Sequence, residues 1–230
     1  MSIEAQEWRR DPLPDWFILL RDAVYEQTLD AEGIRPLYEA AKRRAEALPA
    51  GAVRGILLSR CEYMMGKAYQ NEERKNEAAA RYEAGIAWAE QALEAEPGAE
   101  AYQMLAENIS RSCAVRPVSY AMANGLKVER FAKNALELNP RNTASQIMIA
   151  SRWVYAPAPF NNYRKGIQMM EDIAGRYDRD LHRDDRFNVY AAIGYAYVQQ
   201  KKYAEARPWL VRALGVYPTN QFAHDLLAKS

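Results

Sequence analysis

The sequence predicts an all-α chain, a right-handed α-solenoid of antiparallel helix pairs with about ten or eleven helices, on three observations. Apolar residues recur at helical spacing along most of the 230 residues. Three segments end in one device: Ala92-Leu93-Glu94-Ala95-Glu96-Pro97, Ala135-Leu136-Glu137-Leu138-Asn139-Pro140 and Ala213-Leu214-Gly215-Val216-Tyr217-Pro218. In each, small and apolar residues pack a helix that the proline cannot continue. The helices between these endings align at a fixed offset. Tyr102, Leu105 and Ala106 correspond to Gln146, Ile149 and Ala150, and these to Tyr190, Ile193 and Gly194, 44 residues apart each time.

In chain order, Asp15 after Pro14 is the expected N-cap of a helix reaching about residue 28, with Trp16, Leu19, Leu20, Ala23, Val24 and Tyr25 as its apolar residues. A second helix, about residues 33–48, carries Ile34, Leu37, Ala41 and Ala45 inward and Lys42-Arg43-Arg44 outward. This pair lacks the repeat signature, so residues 1–50 read as a divergent capping pair and residues 51–230 as the repeat array of one continuous domain. Next come helices over about 52–71, where Tyr63-x₂-Gly66-x₂-Tyr69 echoes a later cluster, and about 76–96.

The stretch from Phe187 to Asn220 is the most regular. It reads Tyr190-x₂-Ile193-Gly194-x₂-Tyr197, then Ala206-x₃-Leu210, Ala213-Leu214 and Pro218. Gly194 and Ala206 are small where two helices would approach closely, and Tyr190, Ile193, Tyr197, Leu210 and Leu214 would fill the seam. This spacing resembles the tetratricopeptide repeat. The resemblance spans about Gly66 to the C-terminus and implies a binding scaffold of stacked helical hairpins.

A standard repeat has 34 residues, so the 44-residue offset puts about ten extra residues into each middle unit. They fall around residues 112–125, and in the next unit are divided between residues 155–162 and 177–184. The hairpins 112–125 and 155–163 are therefore where function is expected to concentrate. After Pro218, Thr219 or Asn220 can cap a last helix, about residues 221–229, that covers the open end.

Composition narrows the function classes. Thirty-one Lys and Arg against 30 Asp and Glu leave a net charge of +1, which offers no global attraction to nucleic acid or an anionic membrane. Cys61 and Cys113 lie in apolar helical segments and read as two buried thiols. Residues 1–15 are charged and hold Pro12 and Pro14, unlike a signal peptide. The apolar run Trp16–Leu20 is too short to span a membrane and reads as a buried helix start. A cytoplasmic location is expected, or a periplasmic one if a leader has been removed.

No catalytic, cofactor or metal site is expected. The segment Asp178-x-Asp180-x-His182-x-Asp184-Asp185 alternates oxygen donors as calcium loops do, but lacks the turning glycine, and Val189 stands in place of the bidentate glutamate. It reads as a solvated loop in which Asp184 or Asp185 caps the next helix. His182 and His224 have no partner at zinc-ligand spacing. Neither a nucleophile elbow nor a phosphate-cradling glycine loop is present.

The candidate binding residues follow from helical spacing. First helices of successive hairpins line a concave face, which groups Glu107, Arg111, Ser151, Tyr155, Tyr195 and Gln199 into a strip for a protein or peptide partner. Tetratricopeptide proteins that grip a peptide C-terminus use Lys, Arg and Asn there. The positions here read Glu100, Gln103, Glu107, Arg111, then Ala144, Ile147, Ser151, Tyr155, then Asn188, Tyr195, Gln199, which is a different set. Arg111, Arg116 and Arg152, among the arginines that include Arg130, Arg141 and Arg164, would make an anion site if they converged. The alternative is a carrier of a small apolar or lipid-like ligand, held between helices and the Pro/aromatic hairpin 155–163, to which some bacterial periplasmic proteins with expanded repeats bear a resemblance. Tyr155, Phe160 and Tyr163 speak for that alternative, and the polar inward set for the scaffold.

Overall fold

The computed structural model describes residues 13–230, so the reading of the charged start through Pro12 lies outside it. The described residues form eleven α-helices and no strand. They are α1 (Asp15–Glu26), α2 (Ala31–Glu46), α3 (Ala52–Asn71), α4 (Lys75–Ala95), α5 (Ala99–Val115), α6 (Val118–Leu138), α7 (Thr143–Tyr155), α8 (Tyr163–Tyr177), α9 (Arg183–Gln199), α10 (Tyr203–Val216) and α11 (Gln221–Ala228). Each helix packs on the next, and the odd-numbered helices also pack on one another in series, α1 on α3 through to α9 on α11. The first helices of the hairpins therefore share one wall.

The helix ends obey local chemistry. α4, α5, α6, α7 and α10 each stop two residues before a proline, because the residue preceding proline is forced out of helical conformation. Asp30, Asn142, Asn162 and Asn220 cap α2, α7, α8 and α11 by accepting from the N–H groups of Gly33, Ser145, Lys165 and Ala223 at 2.8, 2.9, 3.0 and 3.2 Å. Two expected caps are elsewhere. Pro14, at φ −60° and ψ 140°, holds the N-cap of α1, and Asp15 stands in the first turn, where its charge faces the helix dipole favourably. His182 holds the N-cap of α9, with Asp184 and Asp185 in its first turn. The helix start at 16–20 is only partly buried, for Leu19 points to solvent while Phe17 and Leu20 enter the core.

The ten extra residues take two forms. Around 112–125 they are helical: α6 runs for 21 residues and leaves Val118, Met122 and Leu126 exposed on one side of its first turns. Around 155–163 they form the turn between α7 and α8, pinned where the Asn162 N–H donates to the Trp153 carbonyl at 2.8 Å. Cys61 is buried and burial pushes its thiol up to about 12, while Cys113 is only half-buried; both are free.

The core joins the ends of the chain. In addition to packing on α2 and α3, α1 meets α9. Tyr25 is 1% exposed and stacks on Tyr217 at 5.0 Å, with Phe187 edge-on at 5.6 Å. Its hydroxyl accepts from Asn188 Nδ2 at 2.9 Å, and its carbonyl accepts from Asn220 Nδ2 at 2.7 Å. Around this aromatic knot, Arg183 donates to Asp22 and Glu26, each at 2.9 Å, and the Tyr217 hydroxyl donates to Asp22 at 2.8 Å. The first helix and the last full hairpin thus belong to one hydrophobic cluster.

A second polar knot ties α2, α3 and α4. Glu62 is 1% exposed, and its carboxylate accepts from Tyr38 Oη at 2.7 Å, Lys42 Nζ at 2.9 Å and Arg81 at 3.3 Å. Three donors on two neighbouring helices offset the desolvation of one carboxylate.

Close approach explains the glycine in the regular repeat. A Cβ on Gly194 would lie 2.5 Å from Leu210 Cδ2 and 2.7 Å from its Cγ, and Leu210 is fully buried. Gly194→Leu is therefore expected to lower stability by about 1–3 kcal/mol or more through overpacking of the α9–α10 seam, read as a lowered denaturant midpoint. An unchanged midpoint would mean that this seam opens without cost.

Candidate functional site

The wall of first helices carries both aromatic area and charge. Tyr155 closes α7 and stands 47% exposed, with its ring 5.1 Å from that of Tyr195 on α9. Tyr195 in turn stacks on Phe222 of α11 at 6.3 Å, and Phe222 is also exposed. Three helices therefore present one aromatic run. The Tyr155 hydroxyl is pushed above its ordinary range by burial, an effect opposed by the nearby charge of Arg111.

Arg111, on α5, donates its Nε–H to the Tyr63 hydroxyl at 3.2 Å and places its guanidinium 6.0 Å from that ring. Glu107, one turn before it, accepts from Gln103 Nε2 at 2.8 Å, and burial raises its carboxyl above the usual range. Ser151 is half-buried and Gln199 exposed. Gln103 and Ile147, also among the inward positions, are buried in the packing between helices. Asn188 is committed to the Tyr25 hydroxyl.

The other arginines separate. Arg116 pairs with Glu83 at 2.7 Å and covers Tyr120, Arg152 pairs with Glu129, and Arg130 lies over Phe131. Arg111, Arg116 and Arg152 do not build one anion site, because each of the latter two has a carboxylate on a neighbouring helix.

A polar cavity of about 410 Å³ opens beside the wall, lined in part by Arg60, Gln103, Arg141, Thr143, His182 and Asp185. It shares Arg60, Gln103, His182 and Asp185 with a smaller space that reaches Leu13, Tyr63, Glu107 and Asp184. Asp185 is buried and accepts from Thr143 Oγ1 at 3.4 Å; burial, and then the charge of Asp184, push its carboxyl well above the usual range. The acidic loop is divided rather than gathered. The Asp178 carbonyl accepts from Arg186, the Asp178 carboxylate takes the Tyr190 hydroxyl, and Asp184 lies 3.5 Å from Arg21. Among the described residues no group of three or more His, Cys, Asp or Glu side chains is placed to hold a metal ion. No described helix is long and apolar enough to cross a membrane.

Sequence reasoning passed over Lys67 and read Tyr25 and Tyr63 only as packing residues. Tyr63 and Lys67 are four apart on α3 and so share a face. A lone lysine within the apolar run from Tyr63 to Tyr69 is the signal that could have found the first and last of these. Nothing local marks Tyr25.

Comparison with known proteins bears on this wall. A family model of the tetratricopeptide repeat matches residues 187–220, the stretch whose spacing is most regular. Among solved structures, the chain is similar to YrrB, a TPR protein with an unusual peptide-binding site, at 15% identity over 91% of this chain and 96% of that one, with a TM-score of 0.39. No curated protein matches. A second family model, regulator of microtubule dynamics protein 1-3, matches residues 24–170, from the end of α1 to the middle of α8. Matched over more than half its length, the all-helical chain belongs to the regulator of microtubule dynamics protein 1-3 family and carries a tetratricopeptide repeat in its last full hairpin.

Proposed function

We propose that this protein is an interaction scaffold that takes a peptide segment of a partner protein against the wall of first helices, without catalysing a reaction. The observation that carries the reading is the aromatic run Tyr155–Tyr195–Phe222, exposed at its two ends and half-buried at Tyr195, with Tyr155 within the electrostatic reach of Arg111. Aromatic and arginine side chains dominate binding hot spots, because they supply contact area and a fixed donor geometry at low entropic cost. Glu107, Ser151 and Gln199 flank the run as polar rim. In this reading residues 51–230 are the binding array, and the helix pair before them closes it. The family description, a regulator of microtubule dynamics, fits a protein that acts through other proteins. The polar cavity lining favours a peptide over a small apolar ligand, for which the hairpin 155–163 offers Phe160 as its most exposed aromatic.

A random dodecapeptide display library selected on the wild-type protein supplies ligands for the test. Arg111→Ala, Tyr155→Ala and Tyr195→Ala are each expected to weaken a selected peptide by about 1–2 kcal/mol with the fold retained. Normal binding by all three variants, or their unfolding, would place the binding surface elsewhere.

A further inference from the structure

Most buried or half-buried cations in this fold have a carboxylate. Lys42 and Arg81 share Glu62, Arg74 has Glu32 and Glu77, Arg116 has Glu83, and Arg183 has Asp22 and Glu26. Lys67 and Arg111 are different. Lys67, half-buried on α3, points its Nζ at the Tyr25 ring, 4.4 Å from the centroid, and among the described residues it is in no ion pair. Arg111 spends only its Nε–H, on the Tyr63 hydroxyl, and is likewise in no ion pair. The two cations repel: burial, and then the charge of Arg111, hold the Lys67 ammonium well below its ordinary range, an effect that the charge of Asp184 opposes. The carboxylates within electrostatic reach are committed elsewhere, Asp184 beside Arg21 and Glu107 to the Gln103 amide.

Two like charges held together on a water-poor wall destabilise the free protein, since each has lost hydration while Asp184 and Glu107 act on them only from a distance and neither cation is in an ion pair among the described residues. A carboxylate placed between them would relieve both, with the free edge of the Arg111 guanidinium as a fork for its oxygens. The charge of Arg111 also reaches the Tyr155 hydroxyl, and Tyr155 packs on Tyr195.

Resting on the peptide-groove reading above, we propose that the partner segment is acidic, with an aspartate or glutamate side chain seated between Lys67 and Arg111 and an aromatic neighbour laid on Tyr155 and Tyr195. Charge complementarity makes the occupant a peptide carboxylate. The remaining N–H groups of the Arg111 guanidinium suit the carboxylate of such a chain.

The test uses two fluorescent dodecapeptides, acetylated and amidated, one of alternating glutamate and tyrosine and one with glutamine in place of glutamate. The glutamate peptide is expected to bind about tenfold or more tightly, with an affinity that falls as salt is raised. Lys67→Met and Arg111→Met should each remove about tenfold of that preference, and Arg111→Lys should restore part of it. Lys67→Met carries a second readout. Relieved of an uncompensated cation, it should melt about 2–4 °C higher than the wild type while binding more weakly, a combination that a merely structural lysine would not give. A lowered melting temperature together with lowered affinity would overturn the proposal. If Tyr195→Ala weakens both peptides equally while Lys67→Met weakens neither, the groove stands and the acidic preference falls. If neither peptide binds and the display library yields no Tyr195-dependent binder, both readings fall. Binding of phosphatidylserine vesicles that depends on Lys67 and Arg111, with no binding of the glutamate peptide, would also overturn it.

Discussion

Tyr25→Ala should lower the stability of the protein by about 3–5 kcal/mol, the range for truncating a buried large aromatic side chain. The side chain is buried between Tyr217, Phe187 and the ammonium of Lys67, so removal leaves a cavity between α1 and the α9–α10 hairpin. It also strips Asn188 of its partner. The bond from the Asn220 side-chain amide to the Tyr25 carbonyl survives, and so do the Arg183 pairs, so the loss should be one of packing more than of topology. Urea denaturation measures the size. Amide exchange of α9 and α10 shows where it falls, and protection there should drop before protection in α3 and α4. Tyr25→Phe separates the two contributions, for it keeps the ring and loses only the hydroxyl, with an expected cost of about 0.5–1.5 kcal/mol. If Tyr25→Ala costs no more than Tyr25→Phe, the contact between the chain's ends is incidental to stability.

Glu62→Leu is expected to cost about 3 kcal/mol, at the low end of the range for breaking a buried charge network by removing one member. The replacement fills the volume, so what is lost is the acceptor for three donors. Tyr38 keeps its hydroxyl buried and loses its carboxylate partner, while Lys42 and Arg81 remain side by side with no counter-charge between them. Both cations are about a third exposed and can swing toward water, which limits the loss. The triple change Glu62→Leu, Lys42→Met, Tyr38→Phe should recover most of it, because Arg81 is then the one donor left of the network and, a third exposed, can swing into water. Thermal denaturation of the single and triple variants decides the matter: failure of the triple variant to recover would mean that the network is worth more than its desolvation.

The comparison between Glu62 and Lys67 shows how the two polar positions of α3 differ. They lie on one helix, five residues apart, and both leave bulk water. Glu62 faces α2 and α4, where Lys42 approaches from the preceding hairpin and Arg81 from the second helix of its own, so its charge is satisfied by the fold itself. Lys67 faces the first-helix wall and Tyr25, where the fold supplies a ring and a second cation. That asymmetry separates a structural charge from a candidate recognition charge.

What could be read in the sequence was whatever short-range physics decides. The proline endings fixed where α4, α6 and α10 stop, because the restriction on the preceding residue acts over one peptide bond. The small residues of the last hairpin were legible because the close approach of α9 and α10 is a contact between neighbours in the chain, and Gly194 does meet Leu210. Tyr155 and Tyr195 could be placed on one wall from helical spacing and the repeat offset alone, and their rings are adjacent. Capping was less legible at α1 and α9, where the backbone entering from Pro14 and His182 took the place expected of an aspartate.

Tertiary structure alone decided the meeting of α1 with α9 and with the turn before α11, and through it the setting of Lys67. The rotation between successive hairpins is small and set by many side-chain contacts, and its sum over four hairpins determines whether residues 163 and 195 positions apart, such as Tyr25 with Asn188 and with Asn220, come within hydrogen-bonding distance. No local pattern carries that sum. For the same reason the convergence of arginines could not be judged from spacing: Arg116 and Arg152 each found a carboxylate on an adjacent helix, whereas Arg111 points inward at a tyrosine. The helices and their seams were written in periods of a few residues, and the charges left unsatisfied on the inner wall were determined by how those helices accumulate into a closed stack.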